Sequence, residues 1–119
     1  MPRLIAAPER IPVPGGKVID EYVGRVATST SSVSVAQMNA PAGWSEPAQT
    51  PEFAEITLVL KGSLSIEHEG GVLEVQAGQA VVTEAGERVR YFVGTEGAEY
   101  VAICLPAFAP DLARREADE

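Results

Sequence analysis

The sequence holds one cysteine and one histidine in 119 residues. A single cysteine forms no intrachain disulfide and builds no thiolate metal cluster. That usage fits a reducing compartment, so a cytoplasmic protein is expected. Any Ser-His-Asp arrangement would have to rest on His68, which sits in SIEHEGG beside a Gly-Gly turn. An exposed surface histidine is the expectation there, neither a metal site nor part of a triad. Positive charge is also scarce: 9 Lys and Arg stand against 17 Asp and Glu, a net charge of -8. Such a surface repels phosphate backbones and anionic bilayers, so neither nucleic acid nor membrane is an expected partner. No apolar run approaches the roughly 20 residues that span a bilayer. The opening MPRLIAAPERIPVP is broken by prolines and carries no signal-peptide core. GxGxxG and P-loop patterns are missing as well.

What is present reads as one β-rich domain spanning 1–119. Apolar residues make up 45% and charged residues 22%, the profile of a globular chain long enough to bury a core. Residues 1–16 form an extended arm, because four prolines there exclude regular helix. KVIDEYVGRVAT and VSVAQMNA have the β-branched content of strands. ITLVLKG reads as a central strand. Beyond it, glycines fall at Gly62, Gly70, Gly78, Gly86 and Gly94, a step of eight residues. The segments between them each suit one short strand and a turn, which predicts an antiparallel sandwich or barrel. AEYVAICLP, apolar on both faces, is expected to be the last strand, buried on both sides. One helix is expected over 110–118, with proline at a tolerated first-turn position.

Two glycine-framed stretches carry a family resemblance. From Gly43 the spacing runs five residues to Gln49, one to Pro51, three to Glu55 and six to Gly62. From Gly78 it runs five residues to Glu84, one to Gly86 and two to Val89. This frame resembles the two motifs of the cupin superfamily, and the similarity covers roughly residues 30–106. It implies a small all-β antiparallel jelly-roll barrel, with an extended N-terminal arm and a short C-terminal tail. In the family's pattern the positions of Gln49, Pro51 and Val89 hold imidazoles that bind a metal, with a glutamate at Glu55. Here all three imidazoles are replaced. The resemblance is therefore to small cupins with a degenerate metal motif, and no metal or other cofactor is expected. Small cupins commonly pair, which makes a homodimer the expected assembly.

The same frame directs Glu55 toward the barrel interior, beside the apolar ITLVLKG. A carboxylate there is either hydrogen-bonded or held partly protonated, and the second state suits a general acid or base. Gln49 is a candidate to orient a ligand, with Trp44 and Phe53 as an apolar lid. Tyr91 follows Val89 on the inward side and is a candidate hydrogen-bond donor. Alternation on VSVAQMNA puts Gln37 and Asn39 on one face, either at a cavity mouth or toward solvent. Cys104 is expected to be buried and inert.

Three functions remain open at this stage. One is a small-molecule-binding cupin with an apolar barrel cavity, doing metal-independent isomerase, lyase or cyclase chemistry with Glu55. Another is a non-catalytic ligand-binding or regulatory cupin, or a cupin scaffold with an engineered cavity. The third and weakest is an oxygen-ligand metal site of Glu46, Gln49, Glu52 and Glu55.

Overall fold

The computed structural model describes residues 1–117. Eight strands follow in order: β1 (Glu9–Ile11), β2 (Val18–Val23), β3 (Ser34–Ala40), β4 (Ala54–His68), β5 (Gly71–Gln76), β6 (Ala80–Thr83), β7 (Arg90–Phe92) and β8 (Ala98–Leu105). The single helix described is one turn, α1 (Pro110–Ala113). Every strand pairing is antiparallel. The larger face runs β1-β2-β3-β8-β4, with β6 on the far edge of β4. The second half of β4 crosses to the other face and pairs with β5 and β7. This is the expected jelly-roll barrel.

Two features depart from the sequence reading. ITLVLKG and SLSIEHE are not separate strands with a turn at Gly62. They are one 15-residue strand that bends there. Gly62 has φ +72°, and a side chain would run into the carbonyl oxygen of Gly97, itself at φ +68°. Two backbones touch at this corner, and only glycine lets the strand pass from one face to the other. The helix expected over 110–118 stops at Ala113, because Arg114 takes a left-handed conformation at φ 53°; Asp118 lies outside the described residues. Part of the arm is also strand, since β1 pairs with β2 of the same chain.

Large side chains fill one end of the barrel. Val59, Leu64, Ile66, Val75, Val89, Val93 and Tyr100 pack together there with Trp44 and Tyr91. The other end is lined by smaller groups. One inward row crosses four strands as Ser34, Cys104, Glu55 and Thr83. The next carries Ala36, Ala102 and Thr57. Alanine and serine leave the space that leucine and valine fill at the opposite end, and a cavity results.

Candidate functional site

The inner cavity has a volume of about 40 Å³ and lies between β2, β3, β8, Glu55 of β4 and Tyr91 of β7. That is room for about three water molecules or one carboxylate group. A wider vestibule of about 180 Å³ adjoins it, lined by Pro14, Gly15, Trp44 and Pro47 among others. Lys17, Ile19, Glu46 and Arg115 line both spaces. They form a charged collar between inner cavity and vestibule.

Glu55 is buried, at 8% exposure. Its Oε2 accepts one side-chain hydrogen bond, from Thr57 Oγ1 at 3.3 Å. Burial is the main influence on it and pushes its pKa from 4.5 to about 7; Lys17 opposes the rise and Glu46 adds to it. Tyr91 shares a hydrogen bond with Thr83 at 3.3 Å. Burial, reinforced by Glu55, raises the Tyr91 hydroxyl and the Cys104 thiol far above their ordinary values. Both stay protonated at neutral pH, as does the Tyr100 hydroxyl, raised chiefly by burial.

The collar is built by chain ends. Lys17, Ile19 and Glu21 alternate along one face entering β2, and all three reach the cavity. Glu21 is satisfied locally, accepting from the backbone N–H groups of Val26 at 3.1 Å and Ala27 at 2.9 Å. Lys17 has no such anchor. Its Nζ lies 4.3 Å from the Trp44 ring centroid and 5.3 Å from that of Tyr100. Among the described residues no carboxylate lies within ion-pair distance of it. Burial lowers its pKa, partly offset by Glu46 and Glu55.

Arg115 arrives from the opposite end of the chain. The tail runs along residues 48–52, with Glu52 N–H donating to the Leu112 carbonyl at 2.9 Å and Glu116 N–H to that of Ala48 at 2.8 Å. The left-handed Arg114 sends its own side chain outward to Glu52 at 2.6 Å. Arg115 then points in, pairing with Glu46 at 3.0 Å and donating to Gln49 Oε1 at 3.4 Å. A patch of Phe53, Cys104, Ala113, Phe108 and Leu112 seals the tail against the barrel.

Of the candidate residues, Glu55, Gln49, Phe53 and Tyr91 all line the inner cavity. Trp44 is buried and lines the vestibule, where it packs against Lys17 rather than closing over Glu55. Gln37 and Asn39 require correction as candidate ligand-binding residues. They lie on the outer face of β3, because Ala36 and Met38 take the cavity side; Gln37 donates to Glu99 at 2.6 Å, and Asn39 is exposed. Glu52 likewise faces out, which separates it from Glu46 and Glu55. His68 is exposed and accepts a hydrogen bond from Gly70 N–H at 3.1 Å. Sequence reasoning missed Lys17 and Arg115. The period-two pattern of Lys17, Ile19 and Glu21 was an available signal for the first; none existed for the second.

This arrangement defines the protein as a cupin-like jelly roll with a largely apolar cavity edged by charged groups. Solved structures agree on the fold. An oxalate decarboxylase variant from Bacillus subtilis superposes with a TM-score of 0.78 at 16% identity, covering 93% of this chain and 31% of that one. A protein of unknown function from Rhizobium leguminosarum superposes with a TM-score of 0.65 at 22% identity, covering 78% of this chain and 84% of that one. No family model matches the chain. A curated protein of Myxococcus xanthus (strain DK1622), named endoribonuclease YbeY, is 50% identical over 107 residues. The match covers 89% of this chain and 36% of that protein, so the chain spans about a third of its relative's length.

Proposed function

We propose that the protein binds a small molecule in this cavity and moves a proton on it without a resident transition metal, with Glu55 as the proton-transfer group. The observation that carries this reading is Glu55, a carboxyl buried in a cavity and held near pH 7 by desolvation. A group titrating near ambient pH takes up and releases a proton with similar ease. Its neighbours Tyr91, Tyr100 and Cys104 remain neutral, so none competes with it as base or nucleophile. The two phenols serve instead as hydrogen-bond donors. Isomerase, lyase and cyclase reactions all use a transfer of this kind.

The donor set does not suit the metal that cupins commonly hold. Gln49 and Val89 face each other as a backbone bridge, exchanging N–H to carbonyl bonds of 2.8 and 2.9 Å. Pro51 and Val89 offer no side-chain ligand, and the described residues hold no cluster of three His, Cys, Asp or Glu in metal-binding geometry. Lys17 and Arg115 line the same cavity and would repel a divalent cation.

The name of the Myxococcus relative points to RNA cleavage. The net charge of -8, the exposed position of the one histidine and the small inner cavity weigh against carrying that activity over to this chain.

Proton abstraction can be tested before the substrate is known. A panel of small oxo and hydroxy acids is incubated with the protein in D₂O, and loss of carbon-bound proton signal is followed by NMR. Exchange with a pH midpoint near 7 is expected. Glu55→Gln should slow it by about a hundredfold to ten-thousandfold. Exchange unaffected by that substitution removes Glu55 from the chemistry. Binding without any exchange leaves a cavity that only holds its ligand.

A further inference from the structure

Resting on that reading of the cavity, we infer that the ligand is a small monocarboxylate, its carboxylate clamped in the collar by Lys17 and Arg115 and its short body directed inward to Glu55. Five charged groups face this space, and one of them, Glu21, is already held by the backbone N–H groups of Val26 and Ala27. Arg115 and Glu46 pair at 3.0 Å and largely cancel. Glu55 lies in surroundings that favour its neutral form. Lys17 is left as a half-buried ammonium, flanked by two aromatic rings and by no carboxylate within ion-pair distance among the described residues. A cation withdrawn from water without an anion is costly, and a bound carboxylate supplies the missing partner. Arg115 can share its guanidinium fork with a second carboxylate, since five N–H groups exceed what Glu46 and Gln49 use.

The geometry also sets orientation and size. Lys17 and Arg115 border both inner cavity and vestibule, whereas Glu55 borders only the inner one. A carboxylate at the collar therefore presents the carbons next to it toward Glu55. The inner volume admits a body of about three heavy atoms, the equivalent of the water it displaces. Phosphate esters and dicarboxylates bring more negative charge than the one unpaired ammonium answers, and Glu46 repels the excess.

Trp44 is the single tryptophan and touches Lys17, so its fluorescence reports occupancy of the collar. The experiment titrates the intact protein with propionate, pyruvate, propionamide and propylammonium at millimolar concentrations, following Trp44 emission and heat of binding. Propionate and pyruvate should bind, with propionamide and propylammonium at least tenfold weaker. Lys17→Met should weaken propionate binding about tenfold or more, and Arg115→Gln should weaken it too, with melting temperatures confirming that both variants fold. Propionamide or propylammonium binding as tightly as propionate overturns the inference while leaving a small-molecule cavity intact, and so does propionate binding unchanged in folded Lys17→Met. If none of the four probes binds, the inference and the ligand-cavity reading fall together.

Discussion

Replacing Glu55 with glutamine should change how stability depends on pH, and the expected size follows from the structure. In the unfolded chain the carboxyl titrates near its ordinary value of 4.5; in the barrel, burial raises that to about 7. The folded state therefore holds this proton more tightly, and folding takes up a proton anywhere between those two values. Stability from this source is complete below pH 4.5, is lost as pH rises through the window, and is flat above about 7. At 1.36 kcal/mol per pH unit the full loss is about 3 kcal/mol. For a chain of this length that corresponds to roughly 10 °C in melting temperature. Glu55→Gln keeps the shape and an acceptor for Thr57, but has nothing to ionise. Differential scanning calorimetry of both proteins at half-unit pH steps should give curves that coincide near pH 4.5 and diverge to about 3 kcal/mol by pH 8, with the variant more stable. Other titrating groups are common to both and drop out of the difference. Parallel curves across pH 4.5 to 8 would refute the argument, because they would mean that Glu55 ionises as easily inside the barrel as outside it.

Three further outcomes are expected. Elemental analysis of protein purified without chelator should find no stoichiometric zinc, iron, nickel or manganese; about one such metal per chain would contradict the donor set around Glu55. Phe53→Ala should destabilise the fold by about 3–5 kcal/mol, because Phe53 is 1% exposed and packs edge-on against Phe108 at 5.9 Å, sealing the tail; a urea midpoint close to that of the parent would show that the tail holds without it. The outer face of the larger sheet carries Val35, Ile103, Ile56 and Val82 in one cross-strand row, with Leu58, Leu60 and Leu105 exposed around it. Such a patch suits pairing of two copies, so light scattering should give twice the 12.6 kDa chain mass and Leu58→Lys should lower it; a monomer at micromolar concentration would refute the pairing.

The fold was legible in the sequence to the extent that local rules govern it. The eight-residue glycine step marks real corners, because turns need residues free of a Cβ. It misled at Gly62, where the same freedom serves a bend inside a continuous strand instead of a turn between two. The conformation alone does not tell these apart; the carbonyl of Gly97, 35 positions along the chain, makes the difference. The two faces of VSVAQMNA were equally well defined by alternation. The choice between them was made by β8, which sets Ala102 and Cys104 beside Ala36 and Ser34. The cavity lies on the side of the small residues, since space is what they leave. The amides of Gln37 and Asn39 looked more functional but face outward, where polar groups remain hydrated.

The charged collar was illegible for a different reason. Lys17 and Arg115 stand 98 positions apart, one entering the first long strand and the other ending the tail, so no motif could contain both. They meet because both ends of the chain close over the same mouth. Their position bears on the altered frame of Gln49, Pro51 and Val89. In a metal-binding barrel the positive charge that receives an anion sits on an ion held by imidazoles. In this chain Gln49 and Val89 face each other across a backbone bridge, and Lys17 and Arg115 border both the inner cavity and the vestibule. An ammonium and a guanidinium attract and orient an anion, but they offer no open coordination position to polarise it strongly. On the proposed reading the proton transfer then falls to a titrating side chain, and burial holds Glu55 near neutrality.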